Sequence, residues 1–274
     1  MSRLASPLLG LVGILAAWQL TGLLLDAPTY LLPMPSDVVR AISENTEPLL
    51  RATLQTGMAS MAGLAFAVVL GLGGAVVLGF SRTLERTFFP YAVVLQTIPI
   101  VTIAPLIVLW TGPGLKAIII VSLIISFFPM LSNTLVGLNS VEPERASLLR
   151  LYGASRWQVM RKLRLPGSMP YVMAGVRISG GLAIKGAILG EFVAGGGGGT
   201  GGLGYIVAVS ARNIDTPYLV GAALVSASLG VAYYFIVRYS TLYLLAWHES
   251  TIAEAKERGA PVVGKTAVPA LGGA

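Results

Sequence analysis

Long apolar runs, almost free of charge, constrain this chain more than any other feature. A run of about 18 residues or more, wound into a helix rising about 1.5 Å per residue, crosses a hydrocarbon core about 30 Å thick. Six spans are expected, near Leu8–Leu25, Ala52–Phe80, Phe88–Trp110, Leu115–Leu138, Ser168–Val193 and Leu219–Leu245. Only 11% of residues are charged and the mean hydropathy is +0.78, too little polarity to cover a soluble domain of this size. The expected class is therefore all-α and polytopic. Arg3 before an apolar stretch resembles a secretory signal, but Pro7–Leu25 is long enough to span, so it reads as a retained first helix.

Loop charge sets the orientation, because Lys and Arg are retained on the cytoplasmic side. With the N-terminus inside, the inner loops carry Arg82, Arg86, Arg145, Arg150, Arg156, Arg161, Lys162 and Arg164, and Arg3, Lys256, Arg258 and Lys265 lie on the same side. The outer loops hold Arg40, Arg51, Lys116 and Arg212. Both termini are expected in the cytoplasm. The net charge of +7 belongs to those loops, and no nucleic-acid motif accompanies it. The absence of cysteine excludes disulfides and thiolate chemistry. A single histidine, His248, cannot build a His-based metal site. No catalytic residue and no cofactor is expected in the chain.

Residues 1–255 are expected to form one membrane domain, and 256–274, rich in Gly, Ala and Pro, a disordered cytoplasmic tail. In the first outer segment Pro28, Pro33 and Pro35 resist helix, after which Ser36 is expected to cap a short helix over Asp37–Ser43.

The inner loop over 139–167 is too polar to span and too patterned for a linker. Ser140 can cap a helix beginning near Pro143, with Glu142 and Glu144 where the helix dipole favours negative charge. That helix should run through Leu148, Leu149 and Leu151 and stop at Gly153, a natural residue for the left-handed turn that ends helices. After Ala154, Ser155 and Gln158 form the pattern of a capping box for a second helix. Trp157, Met160 and Leu163 can share one face of it, and Pro166 closes the loop. Two short helices joined by a tight turn make a knob. Its apolar residues suit either docking of another protein or contact with the membrane.

Gly153, nine intervening residues, then Leu163-Arg164-Leu165-Pro166 resembles the signature loop of ABC importer permeases, which reads E-A-A, three residues, Gly, nine residues, I-x-L-P. The E-A-A positions hold Ser147, Leu148 and Leu149, and Glu144 lies one helical turn earlier. The resemblance extends to Leu32-Pro33-Met34-Pro35-Ser36, Gly175-Val176-Arg177, Gly190-Glu191-Phe192-Val193-Ala194, Gly202-Leu203-Gly204-Tyr205 and Ala246-Trp247-His248-Glu249. Together these are similar to the branch that takes up nitrate, sulfonates and taurine and includes permeases for thiamine-pyrimidine precursors and riboflavin. The resemblance implies a type I importer permease of the bacterial inner membrane, working as a homodimer. It further implies a coupling loop inserted into a separate ATPase subunit that binds the ATP, and a periplasmic or lipid-anchored solute-binding protein. No Walker A pattern occurs in the chain, in agreement with a separate ATPase.

Polar and helix-breaking residues inside the spans are the candidates for a solute pathway or gate: Gln96, Pro99, Asn133, Lys185 and Glu191. Lys185, near the midplane, would attract an anionic solute or else pair with Glu191 or a carbonyl. Arg177 reads as structural. Glu191 can gate, cap the following turn or be hydrated. The glycine run Gly195–Gly199 that follows is either a re-entrant gating loop or a flexible connector. Gln96, Pro99 and Asn133 suit pathway or packing equally, and Gly71, Gly73, Gly74 and Gly79 suit close helix packing. Trp247 reads as an interfacial anchor. A membrane-embedded enzyme lacks paired carboxylates in the spans. A stand-alone secondary transporter or channel accommodates the intramembrane charges but leaves the knob without a purpose.

Overall fold

The computed structural model describes residues 2–26, 28–194 and 201–244. Among them the chain is helical, in the order α1 (Ser2–Leu25), α2 (Pro35–Glu44), α3 (Thr46–Gly79), α4 (Arg82–Thr97), α5 (Ile100–Thr111), α6 (Leu115–Asn139), α7 (Pro143–Leu151), α8 (Arg156–Val159), a π turn (Met160–Arg164), α9 (Leu165–Ala194), α10 (Leu203–Arg212) and α11 (Thr216–Leu244). Four stretches are long and apolar enough to cross a membrane: α3, α6, the continuous run 156–194, and residues 216–240.

The centre is the packing of α3, α6 and α9. Lipid tails are as apolar as leucine, so such helices associate through close packing and hydrogen bonds rather than hydrophobic burial. Small residues let the backbones meet: a Cβ placed on Gly63 or on Gly186 would overlap Ser122 from either side. Ser122 Oγ donates to the Ala183 carbonyl at 2.8 Å, and Ser179 Oγ donates to that of Ser126 at 2.7 Å. Of the four glycines expected to pack, Gly71 meets Met130, Gly74 meets Leu131 and Gly79 meets Leu138, whereas Gly73 faces open space.

The two ends of the bundle differ. One carries α2, α10 and the start of α11. Leu49, Ala52, Leu203, Ile206 and Ala222 form a core there, and Thr216 Oγ1 donates to the Tyr30 carbonyl. The other end carries the α3–α4 turn and the loop containing α7 and α8. It also carries Arg82, Arg86, Arg145, Arg150, Arg156, Arg161, Lys162 and Arg164, so the basic loops do collect at one end.

Four expectations need correction. The third span is not one helix but two, α4 and α5, bent by 95° at the break. Pro99 has no N–H to continue the ladder, and proline disfavours the helical region for the residue before it. Accordingly Ile98 is extended (φ −71°, ψ 123°) and Pro99 becomes the first flank of α5. Second, α2 starts at Pro35 rather than Asp37. Met34 takes the cap position, and the Asp37 carboxylate accepts from the Met34 N–H at 3.0 Å, so Ser36 is not the cap. Third, Ser140 ends α6, donating from Oγ to the Gly137 carbonyl at 2.8 Å, and Glu142 flanks the start of α7. Fourth, Pro166 does not close the loop. It sits in the first turn of α9, and helix runs without interruption from Arg156 to Ala194. Because Pro166 cannot donate to the residue four back, the helix widens beforehand into the π turn, where Leu165 N–H bonds the Met160 carbonyl. The expectations for Gly195–Gly199, Trp247, His248 and the 256–274 tail lie outside the described residues.

Candidate functional site

The knob after α6 is built from strong local signals. At the C-terminus of α7, Gly153 takes φ +80°. Gly153 N–H bonds the Arg150 carbonyl at 2.9 Å, and Ala154 N–H bonds that of Leu149 at 3.0 Å. This pair of bonds is the Schellman arrangement, which satisfies the last carbonyls of a helix and requires a left-handed residue. Ser155 then starts α8. Its Oγ accepts from Gln158 N–H at 3.3 Å while Gln158 Oε1 accepts from Ser155 N–H at 2.7 Å. That reciprocal cap is worth about 1 kcal/mol. Ser155→Ala should therefore fray α8 by about that amount, read as faster proteolysis of the loop in the folded protein, with little change in global unfolding temperature.

One face of the knob is anchored. Val159 and Met160 are buried, and Met160 joins Ala75, Leu131, Leu135 and Leu138 in a core at the end of the bundle. Trp157 stacks on Phe80 with ring centroids 5.8 Å apart. Arg164 donates from Nη1 to the Gly79 carbonyl at 2.9 Å, placing a cation where the α3 dipole is negative. The opposite face is free. Leu148 is 56% exposed, and Leu151 and Tyr152 are 84% exposed, at helical spacing i, i+3, i+4. Glu144 is exposed one turn before Leu148 on that same face, and Ser147 spends its hydroxyl on the Pro143 carbonyl at 2.9 Å. Leu149, Ala154, Leu163 and Leu165 are half-buried supports. The knob is thus bolted to α3 and α6, continuous with α9, and tipped with apolar surface. Sequence reasoning missed Leu151 and Tyr152 as tip residues, although their spacing from Leu148 carried the signal.

The second polar centre lies at the far end of α9. Glu191 is 1% exposed. Its carboxylate lies 2.8 and 2.9 Å from Thr56 Oγ1, which can donate to it, and Oε2 accepts from Gly204 N–H at 2.9 Å. Thr56 Oγ1 in turn accepts from Leu203 N–H at 2.9 Å. The first N–H groups of α10 are therefore capped from α9 and from α3, and the positive end of α10 faces the carboxylate. A Cβ on Gly202 would overlap that carboxylate, and one on Gly204 would overlap the Ile188 carbonyl. The turn into α10 approaches closely because both positions lack a side chain. Thr56 is a partner the sequence did not reveal, since 135 residues separate it from Glu191.

The remaining pathway candidates do not converge on Glu191. Lys185 is exposed on α9 and has no hydrogen bond or ion pair among the described residues, so it does not pair with Glu191. Arg177 is exposed on the same helix. Asn133 is half-buried, with Nδ2 bonded to the Pro129 carbonyl at 2.8 Å, and it packs beside Gly175 where α6 crosses α9. Gln96 is exposed in the last turn of α4, two residues before the elbow at Ile98 and Pro99. Among the described residues no group of three His, Asp or Glu side chains converges on a metal-sized site.

Comparison with known proteins agrees with this architecture. The family described as "Binding-protein-dependent transport system inner membrane component" matches residues 61–241. The riboflavin transport system permease protein RibX of Chloroflexus aurantiacus is 33% identical over 91% of this chain and 94% of its own. A probable ABC transporter permease protein of Haemophilus influenzae is 31% identical over 89% of this chain and 98% of its own. The formylaminopyrimidine transport permease protein ThiX of Halalkalibacterium halodurans is 29% identical over 89% and 96%. A solved structure of the MetNI methionine ABC transporter in an inward-facing conformation shares the fold, with a TM-score of 0.56 at 22% identity over 70% of this chain and 95% of that one. The chain belongs to the binding-protein-dependent transport system inner membrane component family, as a membrane-spanning permease subunit of an ABC importer.

Proposed function

We propose that this permease moves a small heterocyclic solute from an external binding protein into the cytoplasm, driven by a separate ATPase that grips the knob. The observation that carries the coupling role is the knob itself: Leu148, Leu151 and Tyr152 project from a turn that is rigidly capped, bolted to the bundle and continuous with α9. Force applied at the tip would therefore reach α9, which packs against α3, α6, α10 and α11. An exposed apolar patch rimmed by charge marks an interaction surface, and tyrosine is a residue type enriched among those that dominate binding. In this reading α1 and the bent α4–α5 pair complete six spans, both termini are cytoplasmic, and two copies of the chain form the pore in the bacterial inner membrane. Residues 1–255 form the membrane domain.

The heterocyclic class rests on two of the relatives, whose names specify riboflavin and formylaminopyrimidine. A second reading, a small organic anion such as a sulfonate, is favoured by one observation: the exposed and unpaired Lys185 on α9. Lys185→Met separates the two. If the solute is anionic, uptake at low solute concentration should fall about fivefold or more through loss of a charge-assisted contact, with assembly intact. Unchanged kinetics would remove Lys185 from the pathway. For the function as a whole, a tagged chain expressed with its neighbouring genes should copurify an ATPase, and the complex, supplied with the external binding protein, should accumulate solute in proteoliposomes only with ATP. Recovery of the chain alone, with uptake driven by an ion gradient, would overturn the importer reading in favour of a stand-alone transporter.

A further inference from the structure

A strongly charged cavity lies behind the knob, not at its tip. It encloses about 720 Å³ between the end of α3, the start of α4 and the loop formed by α7 and α8. Arg82, Arg86, Arg150, Arg156 and Arg164 line it, and Glu85 is the one acid among its lining residues. The ion pairs of the described residues lie elsewhere, at Arg40, Arg51 and Arg145. Glu85 accepts from the Asn139 amide at 2.9 Å, and Arg164 donates to a backbone carbonyl. Five guanidinium groups against one carboxylate leave four positive charges crowded around a space without a compensating anion. Guanidinium is the side chain best matched to phosphate, through parallel N–H donors.

A second cleft, of about 370 Å³, opens beside the first and shares Glu85 and Asn139 with it. Its walls are Phe89 on α4 and Leu135 and Val136 on α6, and Val136 is 54% exposed. A cationic chamber thus continues into an apolar slot between the exposed sides of α4 and α6. Neither a free phosphate nor an acidic protein segment has use for the slot. An amphiphile fills both parts, and basic pockets between membrane helices on the cytoplasmic side suit lipid headgroups.

We propose that this end of the permease holds an anionic phospholipid, its phosphate among the five arginines and an acyl chain in the Phe89–Leu135–Val136 slot. Arg150 and Arg156 flank the Gly153 turn on its two sides, so the bound headgroup braces the knob against the bundle. The proposal does not depend on the identity of the solute or of the ATPase.

The test uses the full-length purified permease in nanodiscs of phosphatidylcholine, with and without phosphatidylglycerol, and counts retained lipid by native mass spectrometry. Phosphatidylglycerol should be retained in preference to phosphatidylcholine. Each arginine removed should weaken retention about fivefold, so Arg82→Gln with Arg86→Gln should weaken it about 25-fold. If the double variant does not assemble, Arg86→Gln alone should give the fivefold loss. Val136→Trp fills the slot and should release phosphatidylglycerol although every arginine remains. Equal retention of the two lipids, or retention indifferent to the arginine variants, would overturn the proposal. Displacement of the lipid by an equal concentration of inorganic phosphate would overturn it too, identifying a free-phosphate site instead.

Discussion

Replacing Gly153 with valine is expected to abolish ATP-driven uptake while leaving the protein in the membrane at normal levels. Gly153 has φ +80°, and its N–H and that of Ala154 close the end of α7. An L-residue in that region costs about 1–2 kcal/mol, and a β-branched side chain costs more. No atom crowds the position, so backbone conformation alone is tested. A penalty of about 2 kcal/mol lowers the population of the closed turn about 30-fold. The α7 tip then loses its fixed orientation relative to α8 and to the continuous helix that α8 begins. Gly153→Asn is the control, because asparagine tolerates left-handed backbone best after glycine. It should keep most of the uptake and most of the copurified ATPase. Equal activity of the valine variant and the native protein would mean that the turn transmits nothing.

Glu191→Ala should produce the largest loss of stability of any single change at the end of the bundle that carries α10. The substitution removes the acceptor for Gly204 N–H and one of two acceptors of Thr56 Oγ1, the other being the Ala52 carbonyl at 3.0 Å, in a site closed to solvent. The buried Gly204 N–H left unsatisfied costs about 1–3 kcal/mol, and the lost favourable charge at the start of α10 adds to it. A total of about 3 kcal/mol is expected, seen as a lowered unfolding temperature in detergent or nanodiscs. Glu191→Gln keeps one carbonyl oxygen for Gly204 N–H and should lose about 1 kcal/mol. If alanine and glutamine variants unfold together with the native protein, the carboxylate is not what holds α10 to α9 and α3.

The sequence exposed those features whose causes are local. The left-handed glycine after α7 and the Ser155–Gln158 box both depend on neighbours within a few residues, and both form as the pattern implies. Long apolar runs likewise announce helices because lipid leaves the backbone no other partner. What was hidden depends on distance or on competition between breakers. Proline at position 99 breaks its span outright, whereas Pro105, Pro129 and Pro170 lie inside helices that continue. At Pro166 the missing donor is absorbed by a π turn instead of ending the helix. A pattern of proline positions does not distinguish these outcomes, because the surrounding packing decides among them. Glu191 was legible as a polar residue inside a span, with gating, capping of the following turn and hydration as its open readings. Its partner Thr56 comes from a different helix, and no spacing rule reaches across that separation. The basic loops were legible as charge, but their closure around one cavity required the fold of the knob onto the α3–α4 turn.

The account depends on the knob standing in the cytosol against a motor subunit, and the absence of cysteine from the native sequence makes that directly measurable. A single Tyr152→Cys substitution places a thiol on the most exposed part of the tip. A membrane-impermeant maleimide should label it in inside-out vesicles and not in right-side-out ones, and the copurified ATPase should protect it. Labelling in right-side-out vesicles, or equal labelling with and without the ATPase, would contradict the account.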